Sequence, residues 1–166
     1  MEVSINSRAR KKRLKRTNNL SLMIRLLSIA VDFDGTIVEH EFPNIGKTKP
    51  FAFETLKELE KRGHRLILWT YRHGEHLDAA VEFCRENGIE FYAINSSFPE
   101  EQFDPELVSR KLDCDMFIDD RDVSGFIGWG EIFRKIHPEE GGMSEEMKAA
   151  MEKGKKKGIL GKLFGS

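Results

Sequence analysis

Apolar and polar positions in the middle of the chain follow two rhythms. Leu26–Asp32 is a nearly continuous apolar run closed by an acid, the pattern of a parallel strand buried on both faces. Phe51–Arg62 carries Phe53, Leu56 and Leu59 on one side, with Pro50 near the first turn and Gly63 just beyond, which predicts a helix. Arg65–Thr70 predicts a second strand. Glu75–Asn87 places Leu77, Ala80, Val81 and Cys84 at helical spacing, with Gly88 as its stop. Glu90–Ile94 predicts a third strand, and Asp104–Lys111 a short helix with Asp104 as N-cap and Pro105 at its first position. Cys114–Asp119 then predicts a fourth strand, and Trp129–Ile136 a closing helix before Pro138. Regular alternation of this kind predicts an α/β sandwich: three Rossmann-like layers around a central parallel sheet, with right-handed crossovers.

The ends follow neither rhythm. Residues 1–22 hold seven basic residues and one acid, a charge of +6, and read as a basic disordered head; Met23 is an alternative start. Residues 139–166 come to +1 and read as a Lys/Gly-rich flexible tail, with Met143, Met147 and Met151 at helical spacing. The body, 23–138, carries −8, so the overall −1 averages unlike parts. Two cysteines, Cys84 and Cys114, exclude a disulfide scaffold and match no zinc spacing. No apolar run reaches the roughly 18 to 20 residues of a membrane span. The basic run Arg8–Arg16 ahead of Leu20–Val31 imitates a secretory signal, but Arg25 interrupts it and no small-residue cleavage site follows, so a cytoplasmic location is expected.

Candidate chemistry gathers at the strand ends. Asp32 and Asp34, two apart in extended geometry, face one side while Phe33 turns into the core. Gly35 permits a tight reversal whose amides can face an anion, and Thr36 can hydrogen-bond within it. Thr70 closes the second strand; Asp119 and Asp120 close the fourth. Reactive groups of open α/β sheets belong at these carboxyl ends. Four carboxylates converging there repel one another unless a cation neutralises them, and an oxygen-only set selects a hard ion such as Mg²⁺. One aspartate can then attack phosphorus, and a neighbour can move the proton. Lys111 and Arg72 stand where they could balance phosphate charge, and Tyr71 between Thr70 and Arg72 is a further substrate contact.

Asp32-Phe33-Asp34-Gly35-Thr36, Thr70, Lys111 and Ile118-Asp119-Asp120 together resemble the four motifs of the haloacid dehalogenase (HAD) superfamily, over Leu27 to about Pro138. The resemblance implies a Mg²⁺-dependent phosphomonoester hydrolase. Asp32 would be the nucleophile that becomes aspartyl-phosphate and Asp34 the general acid/base. Mg²⁺ would be held by Asp32, the Asp34 carbonyl, Asp120 and, second to it, Asp119. Thr70 and Lys111 would bind the transferring phosphoryl group. Only a flap, Val38–Pro50, and one helix fit between Thr36 and Thr70, so the chain is similar to small capless bacterial phosphatases. The substrate would be a phosphorylated small molecule or an exposed macromolecular phosphate; an open site suits a bulky or macromolecular phosphate, or a neighbouring subunit of a homo-oligomer serving as lid.

Rival readings accompany these expectations. The same chemistry could act on nucleic-acid ends, which the body's negative charge disfavours, or pass the phosphoryl group to an alcohol, or be absent from an interaction protein of the same fold. Asp122 reads as a second acid shell or a loop charge, Arg110 as a substitute for Lys111 or a surface residue, and Arg72 as a substrate contact or an ion-pair partner of the site acids. His73 and His76 fit a helix start better than a metal site, His40 is a weak substrate contact, and Phe42, Trp69 and Trp129 are expected to pack.

Overall fold

Residues 26–107, 109–140 and 149 are described by the structure, a computed structural model. The basic head, Met23, and the tail apart from residues 139, 140 and 149 lie outside the described residues, and with them Met143, Met147 and Met151. The elements run β1 (Ser28–Val31), α1 (Ala52–Lys61), β2 (Arg65–Leu68), α2 (Glu75–Glu86), β3 (Ala93–Ile94), β4 (Met116–Ile118) and α3 (Trp129–Ile136), then a turn of 3-10 helix at Pro138–Glu140.

All pairings are parallel and the spatial order is β3-β2-β1-β4. Ile29, Ala30 and Val31 sit at the centre, opposite Leu66, Ile67 and Leu68 on one side and Met116, Phe117 and Ile118 on the other. Because the chain builds outward from β1 through β2 to β3 and then returns to β1's other flank, the order reverses between β1 and β4. A crevice opens at such a reversal beyond the carboxyl ends of the strands.

One face of the sheet holds most of the core. Ile29, Val31, Leu66, Leu68 and Ile118 pack with Leu56 and Leu59 of α1, Ala80 and Cys84 of α2, and Trp129 and Phe133 of α3. Each large apolar side chain so buried contributes roughly 1.5–3 kcal/mol. The helical spacing read from sequence supplies these faces. Helix α2 stops as expected: Gly88, at φ +80, and Ile89 donate to the carbonyls of Arg85 and Cys84, a closure that needs the left-handed conformation glycine adopts freely. On the opposite face Ala30, Ile67 and Ala93 are closed by Leu112 with Trp69, Tyr92 and Cys114; among the described residues no helix joins this cluster.

Two expectations are corrected. The strands are shorter than the expected runs: β1 and β4 at both ends, β2 at its carboxyl end and β3 at its start. Asp104–Lys111 forms no helix among its described residues. Asp104 does cap a turn, accepting from the Glu106 N–H at 2.9 Å, but Leu107 is 80% exposed and the segment has no apolar face to bury.

Residues between β1 and α1 form the expected flap. Val38 bridges to Asp34 and to Thr48, the Glu39 N–H donates to Lys47 O at 2.7 Å, and Lys49 Nζ pairs with Glu39 at 3.0 Å. Gly46 lies so close to the Glu39 backbone that no side chain fits there.

Candidate active site

Four acids meet at the reversal. Asp32 leaves β1 with its N–H donating to Ile118 O of β4 at 2.9 Å, which ties the two strand ends together. Phe33 turns inward, fully buried, against the edge of Phe83. The chain then folds back, with Ile37 and Val38 donating to Phe33 O. Thr36, also fully buried, donates its hydroxyl to Asp32 Oδ2 at 3.0 Å, and its carbonyl accepts from Trp129 Nε1 at 3.0 Å. Trp129 is thus a packing residue, as expected, that pins the Asp32–Thr36 turn to α3. Gly35 sits at φ +93, where a Cβ would collide with the Asp120 carboxylate, so glycine is required both for the turn and for Asp120's approach.

Asp32, Asp119 and Asp120 each offer a carboxylate oxygen within 4.8 Å of the others, the one such group among the described residues. Burial raises the Asp32 carboxyl to about 7; the charges of Asp119 and Asp120 add to this, against the Thr36 hydrogen bond. Asp120 Oδ1 is buried without a hydrogen-bond partner. A buried orphan oxygen beside two further carboxylates fits a hard divalent cation such as Mg²⁺, and the donor set is all oxygen. Asp119 Oδ1 accepts from the Arg121 N–H at 2.8 Å, which orients that carboxylate.

Asp34 is held differently. Arg72, 2% exposed, donates to both its oxygens at 2.7 Å, to Pro43 O at 3.0 Å and to Asn44 O at 2.7 Å. Its guanidinium lies between the rings of Phe33 and Phe42, 5.0 and 5.2 Å away. Of the two readings of Arg72, the structure favours the ion-pair partner. The Thr70 hydroxyl accepts from the Arg72 N–H at 3.2 Å, while the Thr70 N–H donates to Asn95 Oδ1 at 2.8 Å. Asn95, at φ +50 beyond β3, has no counterpart in the sequence reading; an Asn just past a strand is the signal that could have marked it.

A cavity of about 460 Å³ is lined by Asp32, Asp34, Asp119, Thr70, Tyr71 and Arg72, with His40, Phe42, Trp69 and Arg121. Lys111 does not line it: it precedes β4, is exposed, and its N–H bonds Ser109 Oγ. The segment enters the sheet at the edge away from the acids, where the Asp115 N–H donates to Ser28 O. Arg110 stacks over Phe103 instead of entering the cavity. Asp122 accepts from the Ser124 N–H and closes a loop. His76 packs on Phe42 at 5.4 Å, and among the described residues neither it nor His73 joins a group of metal ligands. Arg121 went unnoticed in sequence; its position directly after the paired acids was the available signal.

These features define an α/β protein with a four-stranded parallel sheet, compatible with a Rossmann-like arrangement, and an acidic crevice at its topological reversal. Among the described residues no helix is long and apolar enough to cross a membrane. No family model and no curated protein matches the chain. A solved structure of a conserved protein from Bacteroides thetaiotaomicron is similar to it at 55% sequence identity and a TM-score of 0.65, covering 69% of this chain and 93% of that one. The chain belongs to the family of that conserved protein.

Proposed function

We propose that this protein is a Mg²⁺-dependent phosphomonoester hydrolase of the HAD type, with a capless three-layer core and a cytoplasmic location. The observation that carries the reading is the grouping of Asp32, Asp119 and Asp120, one of which, Asp120, holds a buried, unpartnered Oδ1. Bound there, Mg²⁺ would neutralise the acids and draw charge from the phosphoryl oxygens.

Asp32 supplies the nucleophile: its carboxylate oxygen bonds to phosphorus as the bond to the leaving oxygen breaks. Asp34 gives that oxygen its proton, then takes one from water as the water attacks phosphorus and the Asp32–phosphorus linkage opens, releasing phosphate. Arg72 keeps Asp34 aimed, since all its described contacts are internal to the protein. Thr70 faces the same cavity, and Arg121 takes the phosphate-balancing role expected of Lys111, because it lines the cavity and Lys111 does not.

Phosphate release from an aryl phosphate by the full chain with Mg²⁺, stopped by chelator and by Asp32→Asn, tests the reading. Metal-independent release, or release that survives Asp32→Asn, would refute it.

A further inference from the structure

Beyond its acids the cavity is walled by rings. Phe42 comes from the flap, while Trp69 and Tyr71 flank Thr70 after β2. Phe42 is 48% and Tyr71 95% exposed, so neither is spent on core packing. Phe42 is nonetheless fixed from behind by the His76 ring and the Arg72 guanidinium. Trp69 is half-buried and held by an edge contact to Phe117 at 6.4 Å. Two of the three rings are therefore preset.

The polar inventory of the same wall is short. Arg72 is taken up by Asp34 and by the flap carbonyls of Pro43 and Asn44, and the Thr70 hydroxyl oxygen accepts from the Arg72 N–H. With Asp34 and Arg121 assigned to the reaction itself, His40 and the Tyr71 hydroxyl remain for the part of the substrate that leaves. A polyol needs a donor or acceptor for each hydroxyl it buries, more than His40 and the Tyr71 hydroxyl supply. A flat ring needs faces and edges at van der Waals distance, which it does supply.

We infer that the group released from phosphorus is a planar aromatic or heteroaromatic ring, seated among Phe42, Trp69 and Tyr71 with its phosphoryl group towards Asp32. The inference rests on the phosphatase reading above and adds to it the substrate class. Trp69 and Tyr71 are specificity residues in this scheme.

Two phosphonates that cannot be hydrolysed, 1-naphthylphosphonate and methylphosphonate, share a head group and differ in the ring. Titrated calorimetrically into the full-length protein with Mg²⁺, the naphthyl compound is expected to bind at least about tenfold more tightly. Its binding should also quench tryptophan emission. Trp69→Leu and Tyr71→Ala, each checked for an unchanged melting profile, should each reduce that advantage. Equal affinity of the parent protein for the two phosphonates overturns the inference, and needs no variant to fold. So does a naphthyl advantage undiminished in both variants. Phosphate release from phenyl phosphate and glycerol phosphate is measured alongside: release from both with equal phosphonate affinities removes the ring preference and keeps the hydrolase. Selective naphthyl binding without release from either ester removes the hydrolase and the inferred substrate with it.

Discussion

Arg72 and Asp34 form a two-pronged ion pair, Nε to Oδ2 and Nη2 to Oδ1, each 2.7 Å long, inside a wall that leaves the arginine 2% exposed. The same guanidinium ties down the flap through Pro43 O and Asn44 O. Lysine cannot reproduce that fork. Arg72→Lys keeps the charge but loses that fork of charge-assisted hydrogen bonds, and should therefore lower stability by about 1.5–3 kcal/mol and reduce kcat with it. Denaturant melts and steady-state rates check both; a variant as stable as the parent contradicts the clamp.

Asp34→Asn separates the two chemical steps. An aryl phosphate with a good leaving group should still phosphorylate Asp32, while water activation is lost. Rapid-quench measurements should show a burst of phosphoryl-enzyme followed by slow turnover. Turnover equal to that of the parent would remove Asp34 from the proton-transfer role.

Asp32 carries a charge the fold disfavours. Its folded-state carboxyl, raised to about 7 by burial and two neighbouring acids, ionises less readily than in the unfolded chain. The cost of ionisation is absent below about pH 4, grows between about pH 4 and 7, and is complete above that. In chelator at about pH 8, Asp32→Asn should melt about 5 °C or more above the parent, the gap closing as pH falls towards 4. A gap that is independent of pH would argue against the buried charge.

Lys111 and Arg121 are set apart by position. Arg121→Ala should raise KM for an aryl phosphate about tenfold, through loss of a charge-assisted contact. Lys111→Ala should change it by less than about twofold. The reverse ranking restores the sequence expectation and removes Arg121.

A second buried network governs acid stability. The Leu27 N–H donates to His64 Nδ1 at 3.1 Å, so the His64 proton sits on Nε2 and points to His137 Nε2 at 3.0 Å; His137 Nδ1–H then faces Glu139 at 3.3 Å. Burial, with His137 and Arg62 nearby, lowers the His64 pKa, while Glu58 pairs with Arg62. The unfolded imidazole takes a proton more readily, so this contribution is intact above about pH 6.5 and lost as pH falls below it. The melting difference between parent and His64→Gln should shrink from about pH 7 to pH 5. A constant difference across that window contradicts the neutral, buried His64.

Much of this was legible in the residue pattern, for a local reason. Apolar runs with β spacing and helical stripes are properties of neighbouring residues, so α/β alternation, α3 at Trp129–Ile136 and the Gly88 stop could be read from the chain. Asp104–Lys111 misled because its capping signal is local, while a helix also needs a face to bury, and Leu107 has none.

Which acids stand at strand ends follows from the residue order, since a strand's carboxyl end lies where its apolar run stops. Which charged groups share the crevice depends on how the strands assemble. Parallel pairing of β1 with β4 brings Asp32 to Asp119 and Asp120, Arg72 is consumed by Asp34, Arg121 enters the cavity, and Lys111 stays outside. Spacing along the chain carries no information about distance across a sheet, because strand order and the path of the connecting segments set that distance.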